Sequence, residues 1–165
     1  MKKITVRQIT LCAIVSAAYA AITLLTAPLA FGLVQFRLSE ALMVLVALDP
    51  ILGVGITLGC FIANIFSTVT ALDMVVGTAA TALACILTIR CRKSWIIPLP
   101  NVLCNAVIVG GMLAWVLFPD HMGMGFLIAA AQVGFGELVV MYGLGLPLLL
   151  YARRTRFLEK ALQRA

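Results

Sequence analysis

The sequence predicts an all-α integral membrane protein, residues 1–165 forming one domain of six transmembrane helices with both termini cytoplasmic. Three observations predict it. Of the 165 residues, 64% are hydrophobic and only 11% charged, with a mean hydropathy of +1.16; a soluble domain carries about a quarter charged residues. Six apolar stretches are separated by turn-forming or charged residues, at approximately 8–27, 35–48, 51–67, 71–89, 98–117 and 124–151. The basic residues other than Arg37 fall into three clusters that alternate with loops free of Lys and Arg: Lys2, Lys3, Arg7; Arg90, Arg92, Lys93; and Arg153, Arg154, Arg156, Lys160, Arg164. Placing all three clusters inside leaves the loops around 28–34, 68–72 and 118–123 outside without a Lys or Arg, as the positive-inside rule requires.

The net charge of +6 therefore reflects topology. A nucleic-acid surface would interleave basic and aromatic residues on one face, and no stretch here does. The five cysteines (Cys12, Cys60, Cys85, Cys91, Cys104) show no CxxC pair and no nearby His, so they read as small apolar fillers, and neither a metal nor a cofactor is indicated.

The first stretch follows Lys2, Lys3 and Arg7 but is longer than a signal-peptide core, and five more follow it. Ala13, Ala17 and Ala21 recur on it every four residues, a ladder that lets another helix approach closely. Pro28 and Gly32 break the chain before the second stretch, Gln35–Leu48, which is short for a membrane core of about 30 Å and must tilt or be covered. It opens with Arg37 and Glu40, about 60° apart on an α-helix. A lone Arg or Glu at a helix centre costs roughly 2.5–3.5 kcal/mol on insertion scales, so the two either pair with each other, Arg37 orienting Glu40, or converge on something bound. Asp49-Pro50 turns the chain into the third stretch, where Gly53, Thr57, Cys60 and Asn64 share a small, weakly polar stripe facing protein.

The fourth stretch has Asp73 in its first turn, a position that also complements a helix dipole. Trp95 reads as an interfacial residue. The fifth carries Asn101 and Asn105 one turn apart, Asn105 being expected in a helix–helix hydrogen bond, and ends at Trp115. The link FPDHMG holds the only histidine, His121, expected to be incidental. The sixth carries Gln132 in its outer third and Glu137 near mid-membrane. The tail from Arg153 reads as a basic amphipathic stretch on the cytoplasmic surface.

Topology turns these positions into depths. Gln35, Arg37, Glu40, Asn64, Asp73, Trp115, Gln132 and Glu137 come from five helices and share the outer half of the membrane. A cluster of intramembrane ionisable and amide groups is a binding-site hypothesis by default, here for a solute captured from outside. The chain has no GxxxxGK[ST] loop for ATP, no Ser/His/Asp or HExxH arrangement and no inverted repeats. It reads as a non-enzymatic subunit; a small intramembrane enzyme using Glu40, Asp73 and Glu137, or a homo-oligomeric channel built on the alanine ladder, are the readings from other classes.

The run QFRLSEAL, followed by GITLGCFIANIFS and DMVVGTAAT, resembles the QueT family, the substrate-binding S components of energy-coupling-factor (ECF) transporters for queuosine precursors. The resemblance covers the chain in length and span number and is most specific from Gln35 to Thr81. Only Met43-Val44 departs from it, where a more polar pair is expected. The Ala13/Ala17/Ala21 ladder is similar to the AxxxA docking motif of S components. The resemblance implies a six-helix S component in the bacterial inner membrane. It would bind solute on the outer side and pair with a coupling membrane subunit and two ATPases, toppling during transport. It also implies a 7-deazaguanine ligand, such as the 7-aminomethyl or nitrile base or queuine. For such a ligand Glu40 and Glu137 would accept the donor edge and the aminomethyl cation, with Asp73 in reserve. Gln35, Arg37 or Asn64 would meet the carbonyl, and Phe36 or Trp115 would stack on the ring. An S component for another vitamin-like solute shares every other feature.

Overall fold

The computed structural model describes residues 5–32, 34–67 and 71–155; Lys2, Lys3 and the tail cations Arg156, Lys160 and Arg164 lie outside them. The described residues are all-helical, with no strand among them. Helix α1 spans Val6–Leu25 and opens on a capping box, Thr5 and Gln8 each satisfying the other's backbone N–H. A single turn, α2 (Ala27–Ala30), follows, with Pro28 in the position where its missing N–H costs nothing. Helices α3 (Leu52–Asn64) and α4 (Leu72–Thr88) come next. A long rod then runs through α5 (Leu99–Cys104), a π turn (Asn105–Val109) and α6 (Gly110–Leu117). After a short 3₁₀ turn at Pro119–His121, the last rod runs through α7 (Met122–Val140), a π turn (Met141–Gly145) and α8 (Leu146–Thr155). The second π turn has a covalent cause: Pro147 cannot donate to the carbonyl of Gly143, and its ring crowds it.

Among the described residues three helices are long and apolar enough to cross a membrane: Val6–Leu25, Leu99–Leu117 and Pro119–Thr155. With 64% hydrophobic and 11% charged residues in the sequence, they make this a membrane protein. Leu38–Ala47, Leu52–Asn64 and Leu72–Thr88 are apolar but shorter.

The second stretch departs from its expected form. It is a ten-residue 3₁₀ helix, Leu38–Ala47, not an α-helix. Three residues per turn stack Glu40, Met43 and Val46 in one ridge, and all three are fully buried. The tighter helix rises about 2.0 Å per residue, so ten residues reach about 20 Å where an α-helix would reach about 15 Å. At its far end Asp49 accepts the N–H of Ile51 at 3.1 Å, closing the turn before α3.

Helices α1 and α3 pack closely because α3 presents glycine to α1. A Cβ on Gly59 would lie 2.7 Å from the Ser16 carbonyl oxygen and 2.8 Å from the Tyr19 Cβ. The opposite face of α1, bearing Ala13, Ala17 and Ala21, is exposed. Two apolar cores result. One gathers Tyr19, Met43, Val46, Ile56, Met141 and Leu149; the other gathers Ala80, Val109, Leu113, Ala129 and Val133 between α4 and the two long rods. Among these cores lies a connected set of polar side chains.

Candidate functional site

Fully buried polar and charged residues converge from six of the helical rods: Tyr19 and Thr23 on α1, Arg37, Ser39 and Glu40 at the 3₁₀ helix, Asn64 on α3, Asp73 and Thr81 on α4, Asn101 and Asn105 on the fifth rod, and Glu137 on α7. Each must find partners inside, since desolvating an unpaired charge costs several kcal/mol.

Arg37 finds Asp73. Its Nη2 donates to Asp73 Oδ2 at 2.8 Å, both side chains being essentially without solvent contact. Its guanidinium also lies 5.7 Å from the centroid of the Phe31 ring. Ser67 donates to the same Asp73 oxygen at 2.9 Å, and Asn64 Nδ2 donates to the Asp73 backbone carbonyl at 3.1 Å. Gly77 makes room for this knot, because a Cβ there would lie 2.8 Å from both Asn64 Nδ2 and Asp73 Oδ1. Asp73 is thus more than a helix-dipole partner.

Glu40 finds Tyr19. The phenol donates to Glu40 Oε1 at 2.5 Å. One turn along, Thr23 donates to the Tyr19 carbonyl at 2.9 Å, so the 2.6 Å contact between Thr23 and Ser39 is a bond that Ser39 donates. On α4, the Thr81 hydroxyl lies 3.3 Å from the Cys60 sulfur, which also accepts from Asn64 Nδ2 at 3.4 Å. Glu137 Oε2 accepts from Asn101 Nδ2 at 3.0 Å, and Asn101 Oδ1 accepts from Asn105 Nδ2 at 3.2 Å. Arg37 and Glu40 make no bond to each other; they anchor two halves of one cluster.

The chain reaches this cluster through a strained crossing. Gln35 has φ of +48°, the only positive φ at a non-glycine among the described residues. Its side chain is buried, and the backbone carbonyls of Val34 and Gln35 lie against Gly136, where no Cβ fits. An energetically costly backbone packed on the residue that precedes the buried Glu137 is the kind of feature that clusters at ligand sites.

The structure brings Gln35, Arg37, Glu40, Asn64, Asp73 and Glu137 together. Phe36 is half-buried and meets Phe135 edge-to-face at 6.3 Å. Trp115 is 60% exposed, one residue off the buried face of α6, and does not join the cluster. Gln132 is half-buried and, five residues from Glu137, points about 140° away from it. Depth also needs correction. The last two rods pair antiparallel about the 118–121 turn, which sets Glu137 level with Asn101 in the first turn of α5, so the cluster reaches beyond an outer layer toward the basic-loop end. Asn105 bonds within its own rod; the interhelical bond belongs to Asn101. Sequence reasoning missed Tyr19, Thr23, Ser39 and Thr81, whose hydroxyls sit in apolar helices without a distinguishing pattern.

Several polar atoms remain unmatched among the described residues. Acceptors without a donor are Glu40 Oε2, Asp73 Oδ1, Asn64 Oδ1 and Asn105 Oδ1; donors without an acceptor are Arg37 Nε and Gln35 Nε2. Unmatched buried groups are rare and call for an explanation. Set against known proteins, residues 9–154 match the family described as QueT transporter. No curated protein and no solved structure gives a match.

Proposed function

The chain belongs to the QueT transporter family, and from that premise we propose that it is the substrate-binding S subunit of an ATP-driven ECF importer, taking a queuosine precursor of the 7-deazaguanine type from outside the cell. One observation carries the substrate reading: among the described residues one buried arginine, Arg37, is outnumbered by three buried carboxylates, Asp73, Glu40 and Glu137. With all four ionised the site holds two negative charges in excess, and its unmatched acceptors outnumber its unmatched donors. It suits a small cation rich in N–H groups. A 7-aminomethyl-7-deazaguanine offers an ammonium, an exocyclic amine and ring N–H groups against one carbonyl.

Glu40 Oε2 and Glu137 take the donor edge and the ammonium, Asn64 and Asp73 Oδ1 lie beside them as further acceptors, and Gln35 Nε2 meets the carbonyl. Arg37 holds Asp73 and orders the 3₁₀ helix. Phe36 supplies an aromatic edge at the periphery. All six helical rods cross the bacterial inner membrane in this reading, with the 90–93 loop cytoplasmic. The exposed Ala13, Ala17 and Ala21 face the coupling subunit, which brings the two ATPases.

Calorimetric titration of the detergent-purified chain with 7-aminomethyl-7-deazaguanine, its nitrile analogue, queuine and guanine tests this, with riboflavin and biotin as outgroups. Tight binding of a deazaguanine that Glu40→Gln weakens is expected. Binding of an outgroup alone would replace the substrate while keeping the subunit; binding of none would overturn both.

A further inference from the structure

At the end of the bundle that carries the basic loop, α3 and α4 line a groove of about 350 Å³. One wall is Pro50, Gly53, Val54 and Thr57, a single i, i+3, i+4, i+7 stripe; the other is Ala82, Cys85, Ile86 and Ile89, the same stripe on α4. Its two polar side chains turn their hydrogens away. The Thr57 hydroxyl donates to the Gly53 carbonyl at 2.8 Å, and the Cys85 thiol donates to the Met43 sulfur at 3.3 Å. The groove therefore presents hydrocarbon alone, about 10 Å long on each wall at 1.5 Å per residue.

Ile89 closes the groove, and the chain continues directly into Arg90, Arg92 and Lys93, all exposed. The charged head of none of the three has an ion-pair or hydrogen-bond partner among the described residues. Arg153 joins them, donating to Ser94 at 2.6 Å. Asp49, which precedes the groove residue Pro50, already accepts the Ile51 N–H. An apolar slot ending in unpaired cations complements a molecule with an apolar chain ending in an anion.

We propose that the α3–α4 groove is a binding site for one anionic phospholipid, an acyl chain lying along Val54 and Ile86 and the phosphate held by Arg90, Arg92 and Lys93. Basic clusters beside helices at one membrane face are where anionic headgroups are recognised. The site is separate from the buried polar cluster and does not depend on the solute reading.

The test titrates the purified full chain in neutral detergent with phosphatidylglycerol, phosphatidylcholine or inorganic phosphate, and reads the lipid concentration that gives half the maximal rise in melting temperature. Phosphatidylglycerol alone should act at low concentration. Each cation contributes about a factor of five, so the Arg90→Gln/Arg92→Gln/Lys93→Gln variant should need about a hundredfold more. Val54→Trp, at an exposed position of the groove wall, should weaken the effect with the cations intact. Equal action of phosphatidylcholine, full action of inorganic phosphate, or an unchanged response in Val54→Trp would each overturn the site, the last reducing it to surface attraction of headgroups.

Discussion

The hydroxyl of Tyr19 donates to Oε1 of Glu40 at 2.5 Å and leaves Oε2 without a donor. One carboxylate oxygen is fixed by the protein and the other is presented, which is how a buried acid is aimed at a ligand. Tyr19→Phe removes only that hydroxyl. A hydrogen bond to a charged group contributes about 1.5–3 kcal/mol, so the variant should lose roughly ten- to a hundredfold in deazaguanine affinity by calorimetry. In a Glu40→Gln background the same substitution should cost little, because the two residues act as a unit. Additive losses would show that Tyr19 acts by some other route.

The Arg37–Asp73 pair makes a separate claim, on stability. Asp73→Asn leaves a buried guanidinium without its counter-charge, and breaking a buried pair from one side costs about 3–5 kcal/mol. The double variant Arg37→Met/Asp73→Leu removes both charges and should melt higher than Asp73→Asn in detergent. A double variant as unstable as the sum of the singles would mean that the pair is not the principal partner of either residue.

Much of the helical architecture was legible because bilayer-compatible segments must satisfy their backbone internally, and long apolar runs announce that requirement. The pitch of the second stretch was not, since LSEALMVLVA buries a ridge equally well at 3.0 or 3.6 residues per turn. The membership of the site was legible only by depth. A topology assigns each polar residue a level but not a direction, which is how Trp115 and Gln132 came to be grouped with residues that they do not meet. Tyr19 was illegible for the opposite reason: in an apolar helix its ring reads as filler, and only the position of Glu40, 21 residues on, gives its hydroxyl a role. The partner of Arg37 was equally hidden, 36 residues away on α4.

Gly77 shows how little room the Asn64–Asp73–Arg37 knot has. Gly77→Ala would set a methyl 2.8 Å from two polar atoms of that knot and 3.6 Å from Arg37 Nη1. Overpacking of this kind costs about 1–3 kcal/mol. The melting temperature should fall, and solute affinity with it, as Asn64 and Asp73 move apart. Gly143→Ala is the control: nothing lies within 4 Å of its added methyl, and it should leave both measurements unchanged.

Glu40 and Glu137 should separate by ligand group. Glu137 accepts from Asn101 on the fifth rod, while Glu40 accepts from Tyr19 on α1. Glu137→Gln should weaken the aminomethyl base by at least about tenfold, since a charge-assisted bond contributes about 1.5–3 kcal/mol, and should weaken the nitrile analogue, which has no cation, far less. Glu40→Gln should weaken both. Equal sensitivity of the two ligands to Glu137→Gln would exchange the assignments.

The two faces of α1 permit a test that separates capture from transport. Tyr19 and Ala17 lie about 200° apart on the helix, Tyr19 buried against the site and Ala17 exposed between Ala13 and Ala21. A bulky residue at Ala17 disturbs no contact inside the chain but fills the close-approach surface of the ladder. Ala17→Trp should therefore bind a deazaguanine with unchanged affinity in detergent and fail to accumulate it in cells supplying the coupling subunit and ATPases. Uptake at the level of the unaltered chain would remove the ladder from the docking surface, whereas loss of solute binding as well would mean that the outer face of α1 supports the site itself.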